Sequence, residues 1–319
     1  MANEFTSIAT TSGIGDNTVK NMYDFAIAAK LRERAQYRTW VDRRPERPNG
    51  PGQTITFQFH QWFDSTAVTA AKTPLNEEQD IDSTKLPVTT TGTVTANEYG
   101  FAVTRTRKLT IFSFDDIDRY AAEAVANHLA DWQDSMVQDV MDTFTTNQIY
   151  AGNATAENNI DATDIIDAAD IRKAVTLLRG ANVPTVDGVF YRGGMHPYAL
   201  HDLRQETGSG SWRVPNEYGT DQSAIWRGEF GEFEGVRFVV NNNTRTTNTG
   251  GSSETVTRTY IAGPEAMTEL VYQEPGSVIG PVTDKLQRFR TIGWYGVLGW
   301  AKYRDESMIR ILSSSSLWA

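Results

Sequence analysis

The chain has 319 residues, 39% of them hydrophobic, and no cysteine, so disulfides, thiolate metal sites, iron–sulfur clusters and cysteine nucleophiles are excluded. Its length suits one large domain or two to three smaller ones. Thirty Lys and Arg against forty Asp and Glu give a net charge of −10, the wrong sign for a sequence-specific nucleic-acid binder. The short basic clusters, Arg43 with Arg44 and Arg105 with Arg107 and Lys108, read as solvated surface charge. No apolar run approaches the ~20 residues of a membrane helix. The first twenty residues lack the basic and apolar regions of a secretory signal. A soluble, intracellular protein is expected.

Residues 1–17 are polar and read as an extended arm. Over residues 18–41, Tyr23, Ile27 and Leu31 recur at helical spacing. Residues 43–52, with three prolines and two glycines, end that helix as a linker. Ile55, Phe57 and Phe59 then alternate with polar residues, the period of a half-buried strand. A second strand region covers residues 94–109 and includes Val94, Phe101 and Val103. Between the two lie about thirty polar, acidic, Thr-rich residues with no two-residue turn. Connections that long are uncommon in compact domains and are usually functional or disordered, so a projecting β-arm is expected.

From Phe101 to Ala151 there is neither Gly nor Pro. Ser113 with Asp116 resembles a capping box, and Asp115, Asp116 and Asp118 suit the first turn of a helix. Ile117, Ala121, Ala124, Val125, His128, Leu129, Trp132, Met136, Val140, Met141 and Phe144 predict one apolar stripe. Such a helix of about 30 residues would measure about 45 Å and need an equally long partner beneath it. After Gly152 the elements are short. Helices are predicted at 168–179, with Gly180 as the stop, and at 197–204, with Pro197 at the first position. Strands are predicted at 189–191, 233–240, 255–262, 292–303 and 308–312, with a helical turn at 265–268 and an exposed loop at 241–254. Without regular β-α alternation the class is α+β.

Signals for chemistry are weak. His196 and His201 stand five apart, which does not put them on one helix face. Asp161, Asp164, Asp167 and Asp170 recur every third residue without the central Gly and terminal Glu of a calcium loop, and read as helix N-terminal charge. Glu229, Glu232 and Glu234 could act as paired carboxylates, although a Gly-rich turn before a strand accounts for their spacing. Phosphate-loop and nucleophile-elbow motifs are absent. Trp212 and Trp226 are candidates for core or interface burial.

Five motifs carry a resemblance: PLNEEQDI at 74–81, NEYGFAVTRTRKL at 97–109, AADIRKAVTLLR at 168–179, MHPYALHDLR at 195–204 and RGEFGEFEGVRFV at 227–239. With the order of the elements, they resemble the major capsid proteins of tailed bacteriophages, of the Hong-Kong-97-type fold. Within that family they are most similar to the branch related to phage N-four, and the likeness runs over residues 23–312. The resemblance implies an N-terminal arm (1–53), an extended loop or E-loop (54–109, tip at 64–87), a peripheral domain with a long spine helix (110–151 and 276–319) and an axial domain (152–275). It implies self-assembly as hexamers and pentamers into an icosahedral shell around double-stranded DNA, with no catalytic, cofactor-binding or metal-binding residues. The partners implied are the chain itself, portal, scaffolding and decoration proteins, and non-specific DNA, with no membrane. The location implied is the virion, assembled in the host bacterial cytoplasm. Intersubunit candidates on the E-loop are Lys72, Leu75, Glu77, Glu78, Asp80 and Lys85, with Arg105 and Arg107 at its base. The spine-helix core would hold Ile117, Val125, Leu129, Trp132, Met136 and Val140. Two other functions stay open: an encapsulin-like shell of a cellular nanocompartment, and an acidic hydrolase using Glu229, Glu232 or Glu234.

Overall fold

The computed structural model describes residues 37–44, 52–59, 74, 77–78, 85, 90–112, 117–206, 232–281, 284–286 and 288–318. The stretch free of Gly and Pro forms three elements. Strand β4 (Asn97–Thr106) leads into a short helix α1 (Arg107–Phe112), and the long helix α2 runs over Ile117–Met141. At 25 residues α2 is about 37 Å long, shorter than expected. Ser113, Asp115 and Asp116 lie outside the described residues.

α2 lies against a four-stranded sheet ordered β1–β11–β12–β4. Here β1 is Asp42–Arg44, β11 is Met267–Ile279 and β12 is Phe289–Lys302. β11, β12 and β4 are antiparallel neighbours, and β1 joins β11 in parallel at the edge. Val125, Ala126 and Leu129 of α2 pack on Trp294, with Tyr99, Val103 and Trp132 at the margin.

A second, seven-stranded sheet is ordered β5–β13–β10–β6–β8–β7, with β9 added to β10. Its strands are β5 (Gln148–Tyr150), β6 (Tyr191–Met195), β7 (Glu232–Phe233), β8 (Val236–Val240), β9 (Thr246–Thr247), β10 (Val256–Ala262) and β13 (Met308–Ser313). Helices α3 (Ala168–Gly180) and α4 (Pro197–Gln205) complete its core, through Ile171, Ala174, Leu178, Ala199 and Leu203 against Ile261, Ile309 and Ile311. A third cluster joins the two sheets. Tyr37, Trp40, Val137, Met141, Phe144, Tyr260, Met267 and Met308 meet where the C-terminal half of α2 passes.

Several expectations are corrected. Residues 94–109 are not one strand. β3 (Thr90–Thr95) pairs with β2 (Thr54–Phe59), and after Ala96 the chain enters the other sheet as β4. Gly299 permits this crossing, because a Cβ there would overlap the Thr95 carbonyl. Residues 43 and 44, expected in a linker, join Asp42 in β1, and Arg43, still exposed, pairs with Glu269 at 3.5 Å. Residues 265–268 are not helical. Glu265 has a φ of 57°, a left-handed turn residue opening the 13-residue strand β11. Two bulges in β11 break its period-two signature. The boundary expected at 275/276 therefore falls inside β11. β13 does not stay with the segment assigned to the peripheral region, because it pairs with β10 and β5 in the other sheet. At the end of α3 the left-handed residue is Asn182, with φ 54°, and Gly180 is still helical. Of the helix expected at 18–41, only the 3-10 turn Tyr37–Trp40 lies within the described residues.

The spine-helix core is also redrawn. Val125 and Leu129 are fully buried, whereas Ile117, Trp132, Met136 and Val140 are half-buried and Ala124 is exposed. Gln133, Asp134 and Gln138 are buried instead. The helix is covered on two sides, by the sheet and by the segment after β8, so the buried face is wider than the apolar stripe. Leu129→Ala removes a side chain from this seam and is expected to destabilise the protein by about 2–5 kcal/mol. Urea unfolding followed by circular dichroism measures it, and a loss below 1 kcal/mol would contradict the packing described.

Candidate intersubunit surfaces and the junction behind them

β2 and β3 pair from Thr54↔Thr95 to Phe59↔Thr90, so thirty residues, 60–89, connect their far ends. Among the described residues, the root of this hairpin has a core. Phe57, Val94 and Ala96 pack on Leu270, flanked by Tyr272, Val297 and Tyr303. Polar ties hold the same end. Thr54 and Thr95 share a hydroxyl hydrogen bond of 3.0 Å, Gln53 Nε2 donates to Asn97 Oδ1 at 3.1 Å, and the Tyr272 hydroxyl donates to the Gly52 carbonyl. A two-stranded hairpin is marginal by itself in water, so the root supplies its anchorage.

The structure places the E-loop candidates unevenly. Glu77, Glu78 and Lys85 are exposed, while Lys72, Leu75 and Asp80 lie outside the described residues. Arg107 is exposed at the start of α1. Arg105 is an intrachain tie, half-buried, with Nη2 donating to Asp118 Oδ2 at 2.9 Å and Nη1 donating to Thr110. Its charge is already matched within the chain.

The appendages hang on a polar junction that the apolar pattern could not reveal. Asp142 follows α2 directly. Its carboxylate accepts from Arg245 at 2.8 Å, from Arg310 at 3.0 Å, from the Tyr260 hydroxyl at 3.0 Å, and pairs with Arg258. Tyr260 and Arg310 face each other across β10 and β13, and Arg258 stands two residues before Tyr260. One carboxylate thus fastens the end of α2 to two adjacent strands. Arg258 also reaches Glu157 at 3.1 Å, and Arg245 reaches Asp139. Burial and the Asp142 charge push the Tyr260 phenol well above its ordinary value, so it stays a neutral donor.

One turn back along α2, the Gln138 side chain donates to the Asn243 carbonyl at 2.9 Å and accepts from the Arg245 amide at 2.7 Å. Asp134 accepts from the Tyr37 amide at 3.2 Å and from Asn241 Nδ2 at 3.1 Å. Tyr37 and Trp40 lie over Gly194 of β6, where any Cβ would collide with both rings. These contacts fix residues 37–40 between α2 and β6. The four-residue spacing of Asp134, Gln138 and Asp142, which puts them on one side of the helix, is the signal that could have revealed them.

The sequence-flagged chemical groups serve structure. The His196 ring caps α4 by accepting from the Tyr198 amide at 3.2 Å, and His201 sits beside Asp202 at 3.4 Å. Asp167 and Asp170 form a capping box on α3, whereas Asp164 and Asp161 tie the preceding loop. Glu232 pairs with Arg237 at 2.6 Å and Glu234 with Arg172 at 3.1 Å. These two glutamates are each matched by an arginine and do not share a site. Glu229, Trp212 and Trp226 lie outside the described residues. Among the described residues no group of three or more His, Asp or Glu could hold a metal, and no helix is long and apolar enough to cross a membrane.

No protein-family model matches the chain, and no curated protein matches it. Solved structures do. The cyanophage Pam1 capsid aligns with a TM-score of 0.66 at 13% identity, over 84% of this chain and 86% of that one. The capsid of Ralstonia phage GP4 gives 0.64 at 16%, over 86% and 87%. The cyanophage P-SCSP1u capsid gives 0.66 at 12%, over 88% and 89%. The fold is the Hong-Kong-97 type of phage capsids.

Two measurements probe the junction. Asp142→Asn leaves Arg258 and Arg310 without their shared anion. Removing one partner of a buried pair typically costs about 3–5 kcal/mol, and a comparable loss is expected in urea unfolding. A loss under 1 kcal/mol would show that the arginines find other partners. At the capping box, burial and the neighbouring Asp167 carboxylate push Asp170 up to about 7. The unfolded value is about 3.9, so the folded state holds this proton longer. Its contribution to stability is complete below pH 4 and is lost as pH rises to 7. Asp170→Asn should therefore gain melting temperature relative to the parent from pH 4 to 7, levelling off above. A difference constant with pH would refute this.

Proposed function

We propose that this chain is the major capsid protein of a tailed double-stranded DNA bacteriophage, assembling as hexamers and pentamers into an icosahedral shell. The observation that carries this reading is the capsid-type fold, aligned over more than four fifths of both chains. The anchored hairpin supports it, because its two strands are joined by thirty residues at the end away from the root.

In this reading α2 and the four-stranded sheet make the peripheral domain. The seven-stranded sheet with α3 and α4 makes the axial domain, β13 included. Residues 1–53 are the arm and β2–β3 with their connection are the E-loop. The acidic net charge of −10 suits a shell that encloses DNA held by counterions, without a binding groove. Portal, scaffolding and decoration proteins would be its partners in the virion. Exposed ion pairs between subunits contribute only about 0–1 kcal/mol each, weak enough for misplaced subunits to leave a growing shell.

Negative-stain electron microscopy with light scattering on the purified protein, alone and co-expressed with neighbouring gene products, tests this. Shells, or rings of five and six, are expected. Deleting residues 64–87 should leave a folded, soluble subunit that closes no shell. Normal particles from the deletion would contradict the E-loop role. A protein that stays monomeric in every co-expression would contradict the shell, and particles loaded with cargo protein would identify a nanocompartment.

A further inference from the structure

On one face of the seven-stranded sheet, Arg192 of β6 and Arg237 of β8 stand side by side in parallel register. Like charges so placed oppose each other, and the chain answers only one of them. Arg237 Nη2 pairs with Glu232 at 2.6 Å and Nη1 with Asp187 at 3.2 Å, and its guanidinium lies over the Phe190 ring. Arg192 donates from Nη1 to the Thr39 carbonyl at 3.3 Å and, among the described residues, meets no carboxylate. Half-buried, it keeps an unmatched positive charge.

Both arginines line a cleft of about 320 Å³ between the Tyr37–Trp40 turn, the loop before β6, and strands β6 and β8. Trp40, Val186, Phe190 and Val239 supply its apolar walls. Small-molecule sites are concave, mostly apolar with a few placed polar groups, and measure about 300–1,000 Å³. The walls are held independently of any occupant. Trp40 is buried over Gly194, the Val186 amide donates to the Phe190 carbonyl at 2.9 Å, and the Tyr191 hydroxyl donates to the Val183 carbonyl at 2.8 Å.

We propose that this cleft binds a small organic monocarboxylate with a flat apolar body, the carboxylate on Arg192 and the body between Trp40, Phe190 and Val239. A guanidinium fork matches a carboxylate through two parallel hydrogen bonds. Aromatic and branched walls take a ring in preference to a polar chain. One unmatched cation calls for one negative charge, and the Asp187 carboxylate on the lining opposes a dianion such as inorganic phosphate. A ligand seated there joins the Tyr37–Trp40 turn to β6 and β8 and stabilises the folded subunit according to its occupancy. The inference concerns a single subunit and stands apart from the shell reading.

The test uses naphthoate on the purified full-length protein, read by isothermal titration calorimetry and by melting temperature. One site per chain is expected, with a dissociation constant of about 1 mM or tighter, and a rise in melting temperature with ligand. Naphthamide has the same shape without the charge, and inorganic phosphate has charge without the ring. Each should bind at least about tenfold more weakly. Arg192→Gln should weaken naphthoate by about tenfold or more and leave naphthamide nearly unchanged, with circular dichroism matching the parent. Val239→Phe, at a strand position 39% exposed, fills the cleft and should abolish binding of both aromatic probes. No saturable binding of naphthoate to the parent would overturn the site. Parent-like affinity in either variant would place the probe elsewhere and overturn it too. Phosphate binding as tightly as naphthoate would reduce the cleft to a bare anion site, against the proposal. Should Arg192→Gln fail to fold, Val239→Phe and the naphthamide comparison decide the matter.

Discussion

The seat of the long helix against the seven-stranded sheet depends on one carboxylate at its end. Asp142 gathers Arg245, Arg258, Arg310 and the Tyr260 hydroxyl from three separate chain segments. Arg258 and Arg310 come from neighbouring strands and are largely buried, where an unmatched cation is strongly disfavoured. The helix end cannot slide along the sheet without leaving a buried charge alone. Exchanging such a network for apolar packing can be neutral in stability. Its consequence here is positional: α2 has one allowed seat between the two sheets.

From that seat the remaining contacts follow. Gln138 and Asp134 lie further back along α2 and hold the segment after β8 and the backbone of Tyr37. Arg38 continues the series to Glu269 at 2.8 Å and Glu274 at 2.9 Å. The entry of the N-terminal arm, the loop at 241–245 and the strand pair β10–β13 are thus tied to one helix. Glycines do the complementary task. Gly194 lets the Tyr37 and Trp40 rings come close to β6, and Gly299 lets the hairpin root pass close over β12. A side chain at either place would hold the layers apart.

For a shell subunit this arrangement separates two needs. The body between the sheets is fixed by buried apolar seams and matched charges. The root of the hairpin is anchored on β11 and β12, and no residue of α1 is buried.

Much of this was legible in the sequence. Period-two alternation at Ile55, Phe57 and Phe59 announced the hairpin strand, and helical spacing at Ile171, Ala174 and Leu178 announced α3 with nearly its observed limits. The acidic balance and missing cysteines bounded the chemistry, and the order of elements carried the fold. Tertiary structure alone decided the rest. Whether residues 94–109 formed one strand or two depended on two sheets meeting near Ala96, a distance between segments that no local pattern encodes. β11 escaped because bulges shift its side chains between faces, and β13 changed sheet because its partners lie some fifty residues or more away. Gln133, Asp134, Gln138 and Asp142 stand off the apolar stripe, where polar residues judged by themselves favour water. They are buried or matched because partners distant in the chain fold over them and replace that water with hydrogen bonds and opposite charge, or, for Gln133, simply enclose it.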